Sequence, residues 1–276
     1  MSFPIAATRR LQPGRAFQWR SFLDLWRYRE LLFFLVWRDV KVRYKQTALG
    51  AAWAIIQPVM SMVVFTVFFG RFAKMPSDGV PYPLFSLCAL VPWTYFAAAL
   101  TAGSTSLLGQ QHILSKVYFP RMLVPLAAVV SPLVDFAVAF GVLVLMMFAY
   151  RAAPGAAVLW LPLLLVLAVA TAVAASLWLS ALTVKYRDIR YVIPFGVQMW
   201  LFITPVAYPA SLVPERWRVL YGLNPMTGVI EGFRWALVGG PAPGVITLVS
   251  TLAVIVSLTG GLAYFRRVEG TLVDTL

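Results

Sequence analysis

Four basic side chains, Arg38, Lys41, Arg43 and Lys45, crowd the chain just before its first long uncharged run. Cations at that place attract an anionic lipid head group or a phosphate, and they also serve as a basic flank that fixes topology. Asp135 stands alone inside another apolar run. An ionised carboxylate at mid-membrane costs about 2.5 to 3.5 kcal/mol on insertion scales, so it has to face other helices or water. A structural partnership with neighbouring hydroxyls is favoured over a proton or cation relay, because no other Asp, Glu, Lys, Arg or His falls within an expected span. Glu231 and Arg234 are spaced i, i+3 on a helix expected over 226–238 after Pro225, where they can pair. That helix either caps a channel from outside or lies on the outer leaflet. The 19 Phe, 11 Tyr and 10 Trp suit interfacial belts. Among them Trp53, Phe65, Phe68, Phe69, Trp93, Tyr95, Trp200, Phe202 and Tyr208 form a group whose rings could line a conduit and stack on sugar faces.

Other chemistries are missing from the residues. The single Cys88 rules out an internal disulfide or a multi-cysteine metal site, and the single His112 rules out a histidine cluster. None of the five lysines follows a glycine, so there is no phosphate-binding loop, and neither G-x-S-x-G nor H-E-x-x-H occurs. The chain is expected to bind no cofactor and to hydrolyse no ATP by itself. Any energy for transport has to come from a partner or an ion gradient.

The elements that must position these groups are membrane helices. Of 276 residues 61% are hydrophobic and 12% charged, and the mean hydropathy is +0.81, which excludes a soluble globular protein. The net charge of +13 then reports topology and anionic lipid rather than nucleic acid. Six runs are long enough to span: 49–70, 84–108, 122–150, 158–182, 191–214 and 245–265, the last following the turn-like Gly239 to Gly244. The fifth contains Pro194, Pro205 and Pro209 and is expected to kink or break. With the N-terminus inside, inner segments hold 17 of the 23 Lys and Arg, so both termini are expected in the cytoplasm. No cleavable leader is read in residues 1–30.

Two inner segments are amphipathic. Over 22–45, Phe22, Leu25, Trp26, Leu32, Val36, Trp37, Val40 and Tyr44 recur at helical spacing opposite Arg27, Glu30, Arg38, Lys41 and Lys45. That predicts a helix on the inner leaflet, although 40–45 alternates like a strand. Over 109–121, Ile113, Leu114, Val117, Tyr118 and Phe119 mix with Lys116 and Arg121 and predict a short helix ended by Pro120. Such an element docks into a cytosolic partner or rests on lipid. The organisation read is a tail over 1–21, an interface helix over 22–45, one membrane domain over 46–265 and a tail over 266–276.

Four segments, in order, resemble a known family: Arg43-Tyr-Lys-Gln-Thr-Ala-Leu-Gly-Ala-Ala-Trp-Ala-Ile-Ile-Gln-Pro58, Ser115-Lys-Val-Tyr-Phe-Pro-Arg121, Lys185-Tyr-Arg-Asp-Ile-Arg190 and Leu223-Asn-Pro-Met-Thr-Gly-Val-Ile-Glu-Gly-Phe-Arg234. The chain is similar to ABC-2 type permeases that export polysaccharides, most closely the O-antigen branch. The resemblance implies an all-α membrane protein with six transmembrane helices, an N-terminal interface helix and re-entrant outer gate helices. It implies a homodimer in the bacterial inner membrane, paired with two copies of an ABC ATPase that carries the ATP and Mg. It also places Phe22, Leu25, Trp26, Arg27 and Glu30, with His112, Ser115, Lys116 and Tyr118, at the ATPase contact. Spans one and five would flank the conduit, and Asn224, Pro225, Glu231 and Arg234 would belong to the gate. The implied cargo is a glycan on polyprenol pyrophosphate, drawn to Arg38, Lys41, Arg43 and Lys45. The alternatives are an ABC-2 exporter of drugs or lipids, and an ion-coupled transporter using Asp135.

Overall fold

The computed structural model describes residues 27–45, 50–114, 116 and 119–269, and among them there is no strand. Eleven helices follow in order: α1 (Arg29–Lys45), α2 (Gly50–Phe65), α3 (Tyr82–Gly109), α4 (Gln111–Leu114), α5 (Leu123–Val130), α6 (Leu133–Ala149), α7 (Leu161–Lys185), α8 (Ile189–Ile203), α9 (Glu215–Gly222), α10 (Pro225–Val238) and α11 (Val245–Glu269). A π-helical segment, Thr66–Phe72, prolongs α2, and a 3-10 turn, Ala156–Trp160, leads into α7. Five stretches are long and apolar enough to cross a bilayer: Ala52–Phe72, Tyr82–Gly109, Leu123–Ala149, Ala156–Lys185 and Val245–Glu269.

The fifth expected run gives something shorter. α8 has 15 residues, which rise about 22 Å against a hydrocarbon layer of about 30 Å. Pro194 lies within its second turn and does not break it. The helix stops at Thr204, whose backbone is extended (φ −90°, ψ 143°), because Pro205 disfavours the helical region for the residue before it.

α3 is the hub. Leu84, Leu87, Cys88, Phe96 and Leu100 are fully buried, and the helix packs on α7, α5, α10, α6 and α2. In lipid, helices associate by close packing rather than by expelling water, so small residues mark the contacts. Gly103 shows why: a Cβ there would sit 2.4 Å from the Ser176 hydroxyl of α7. At the α10–α11 contact, a Cβ on Gly228 would meet Ser250 Cβ at 2.6 Å. Large apolar side chains such as Phe148, Leu159 and Val256 point outward instead, as suits a lipid solvent.

α1 runs as a helix through Lys45, so the alternation over 40–45 is not a strand. It packs along α5, with Leu35 buried and Leu31, Leu32 and Val36 against Leu123, Val124 and Ala127. Its outer side carries exposed Phe33, Phe34, Trp37 and Val42, so Trp37 does not share the packed face expected of it. The apolar pattern is wide enough to meet protein on one side and lipid on the other.

Candidate functional site

α2, α3 and α6 leave a half-open cavity of about 910 Å³ between them, with Leu201 of α8 at its wall. Its lining combines two classes of side chain. Trp53, Phe65, Trp93 and Tyr95 offer ring surface, while Gln57, Ser61, Thr94, Thr101 and Thr105 offer amide and hydroxyl groups. Pro58, inside α2, also lines it, and the bulk of the ring and the missing N–H loosen the helix at that turn. Aromatic faces beside hydroxyls and an amide form a surface that accepts the alternating apolar and hydroxylated faces of a carbohydrate.

An ionic cluster forms part of the wall. The Arg43 guanidinium and the Tyr44 hydroxyl, both from the end of α1, donate to the two carboxylate oxygens of Asp135. Asp135 falls in the first turn of α6, after Ser131 and Pro132 interrupt the span, where the positive end of the helix dipole favours a carboxylate. Burial, followed by the bond to Asp135, pushes the Tyr44 phenol up to about 12. The hydroxyl partner expected for Asp135 is therefore Tyr44, and the companion cation missing from the spans comes from α1. Arg43, one of the four cations expected to attract a phosphate, bonds to Asp135, 92 residues away in sequence. The other three cations of that group, Arg38, Lys41 and Lys45, line a shallow hollow of about 420 Å³ with Phe34, Trp37 and Val42. Arg38 pairs with Asp39 at 2.8 Å, and the Lys41 ammonium stands 5.3 Å from the Trp37 ring centre.

The remaining conduit candidates lie elsewhere. Phe68 and Phe202 are exposed, and Phe69 packs against Phe65 with the rings tilted at 43°, within the extended α2. Trp200 packs edge-on against Phe96 and donates its indole N–H to Asn224 Oδ1 at 2.9 Å. Tyr208 donates to the carbonyls of Phe202 and Ile203 and accepts from Tyr221. Trp93 and Tyr95 touch the cavity but are themselves buried, so they are core residues with one edge on it.

At the opposite end, the break after α8 is held by buried side chains. Arg234, 2% exposed, donates to the Val206 carbonyl at 2.9 Å and the Tyr208 carbonyl at 3.4 Å, and Tyr82 donates to the Ala207 carbonyl at 2.7 Å. The expected i, i+3 pair is present, with Arg234 Nη1 2.9 Å from Glu231 Oε1. The guanidinium also lies 3.6 Å from the centre of the Phe85 ring. Burial pushes the Glu231 carboxyl above its ordinary range, opposed by the adjacent Arg234. Asn224 caps α10 by accepting from Met226 N–H and donates to Thr204 Oγ1 at 2.9 Å. Met226, Val229, Ile230 and Phe233 bury one face of α10 in the main core. The chain after α8 leaves helical bonding, and Arg234 and Tyr82 satisfy three of its carbonyls.

Of the residues expected at the ATPase contact, Arg27, Glu30, His112 and Lys116 are exposed. Phe22, Leu25, Trp26, Ser115 and Tyr118 lie outside the described residues. Phe119 and Arg121, read in sequence only as part of the amphipathic segment over 109–121, have partners the sequence did not indicate: Phe119 is buried with Leu35 and Phe265, and Arg121 bonds to Glu269 at the end of α11. The expected membrane domain ends at 265, and α11 continues to Glu269.

Comparison with known proteins places this geometry. Residues 30–238 match the family model described as ABC-2 type transporter. The chain is 27% identical over 238 residues to an O-antigen export system permease protein of Myxococcus xanthus, a match covering 85% of this chain and 90% of that one. It is 25% identical over 241 residues to the Klebsiella pneumoniae protein of the same description, covering 87% and 92%. A polysialic acid transport protein of Escherichia coli is 22% identical over 237 residues, covering 84% and 91%. The helices, the cavity and these similarities lead to one assignment: the chain belongs to the ABC-2 type transporter family, as a multi-pass membrane permease.

Proposed function

We propose that this permease is the membrane half of an ATP-driven exporter that moves a lipid-linked polysaccharide across the bacterial inner membrane. The observation that carries the proposal is the cavity, where Trp53 and Phe65, with the edges of Trp93 and Tyr95, stand beside Gln57, Ser61 and three threonines, in a chain similar to O-antigen export permeases. Ring faces and hydroxyls together suit a hydrated glycan that has to slide, since many modest contacts replace water without trapping the chain. One protomer encloses only part of such a path, and a second copy supplies the other wall. Two ABC ATPase subunits dock on the exposed inner residues Arg27, Glu30, His112 and Lys116 and supply the ATP chemistry. α8 acts as a shortened fifth span, giving six crossings with both termini inside. α9 and α10 enter and leave on the outer side as the gate. Arg38, Lys41 and Lys45 attract the pyrophosphate, and Arg43 joins them when it leaves Asp135.

Depletion of the protein in its host tests this reading. Lipid-linked polymer is expected to accumulate at the inner membrane while surface polymer falls. Unchanged surface glycan would overturn the cargo assignment and bring forward a drug or lipid cargo for the same architecture.

A further inference from the structure

The inner loop assigned above to ATPase docking ends at Phe119, Pro120 and Arg121, and these lead to an element without a role so far, the inner end of α11. Phe119 is buried in a cluster with Leu35 of α1, Met122, Leu123 and Phe265 of α11. Arg121 then makes two bonds to Glu269. Its main-chain N–H donates to Glu269 Oε1 at 3.0 Å, and its guanidinium donates to the Glu269 main-chain carbonyl at 2.6 Å. The chemistry is complementary in both directions. The last carbonyls of a helix lack intrahelical donors and carry the negative end of its dipole, which a guanidinium satisfies, while the carboxylate takes an N–H at the turn into α5. Apolar packing around Phe119 allows sliding, whereas two directional bonds fix the register.

The other half of α11 is pinned as well. Ser250 Oγ accepts from Gly228 N–H at 3.1 Å and lies 2.8 Å and 3.1 Å from the carbonyls of Gly222 and Asn224, which it engages as donor. Gly222 ends α9, Asn224 caps α10 and Gly228 lies in the first turn of α10. α11 therefore connects the inner loop to the outer helices, with a polar pin near each end.

We propose that α11 is a coupling strut: the Arg121–Glu269 clasp makes the last span move with the docking loop, and Ser250 passes that movement to α9 and α10. Arg121 is a positioning residue acting through Glu269. The proposal rests on the ATP-driven reading above and names the route by which the cycle reaches the outer end.

The test uses the permease reconstituted with its ATPase in proteoliposomes, reading ATP hydrolysed per glycan delivered. Arg121→Gln, Glu269→Ala and Ser250→Ala are each expected to copurify with the ATPase and raise that ratio about tenfold, the size typical of a coupling contact. Arg121→Lys, which keeps a donor for the carbonyl, restores most of the coupling. An unchanged ratio in all three, or loss of ATPase binding in Arg121→Gln alone, overturns the strut. A second readout is independent of cargo. In a Cys88→Ser background, spin labels at Gln111 and Arg267 are expected to keep one narrow distance with and without trapped nucleotide. Arg121→Gln broadens that distance even in the permease alone. A distance that changes with nucleotide while the clasp is intact contradicts the proposal. Failure of the wild type to deliver glycan rejects the export reading instead, leaving the distance result to decide the clasp.

Discussion

Asp135 survives in a spanning segment because three conditions meet at its carboxylate: a guanidinium, a phenol and the start of α6. Removing one partner of a half-buried ion pair costs less than in a dry core and more than at the surface. Asp135→Asn is expected to lower stability by about 1 to 2 kcal/mol, and Tyr44→Phe by about half as much, in denaturation of the detergent-solubilised protein. Arg43→Gln combined with Asp135→Asn then costs less than the two singles together, and strict additivity would deny the pair. Arg234 is the more demanding residue, since it is buried and holds two main-chain carbonyls as well as Glu231. Arg234→Met leaves a buried carboxylate without its cation and is expected to cost about 3 to 5 kcal/mol. Adding Glu231→Gln recovers part of it, which thermal unfolding of the single and double variants checks. Neither bond set is readable from local sequence beyond the i, i+3 pair. Arg43 meets Asp135 across 92 residues, and the burial of Arg234 follows from a backbone break after α8 that only the folded chain presents to it.

Helices follow from the sequence more directly than sites do, because a charge-free run of spanning length has few alternatives in lipid. The first, second, third, fourth and sixth runs reappear as α2, α3, α5 with α6, α7 and α11. The 191–214 run breaks as its prolines predict, at Pro205 rather than Pro194, which leaves the helix shorter than the apolar composition alone would give. α1 reads as amphipathic in sequence, but which face meets α5 depends on the packing of Leu31, Leu32, Leu35 and Val36, not on polarity. Contacts between spans rest on small residues, and α3 fits closely against α7 at Gly103. Gly103→Leu is expected to force the two helices apart, because the smallest added carbon already meets Ser176 at 2.4 Å. Membrane insertion should continue while yield and thermal stability drop sharply, with Gly103→Ala intermediate. Equal melting temperatures for all three proteins would refute the close contact.

At the scale of the molecule, the cavity has Arg43 and Asp135 in its wall, with the basic end of α1 beside it, and the buried polar clamps around Arg234 and Asn224 lie apart from it. Ser61 lines the cavity from α2, a helix with little of its surface covered within the protomer. Ser61→Trp is expected to fill part of the path and reduce glycan export about tenfold or more while leaving the level of inserted protein unchanged, as quantitative immunoblotting and surface-glycan assays would show together. Normal export with the larger side chain would move the path elsewhere. The most direct measurement is translocation itself, made with the purified permease, its ATPase and a lipid-linked glycan in sealed vesicles. ATP-dependent appearance of glycan on the far side, abolished by a hydrolysis-deficient ATPase and indifferent to ion gradients, is the predicted result. Glycan movement driven by an ion gradient without ATP, or ATP hydrolysis that never moves glycan, would contradict it.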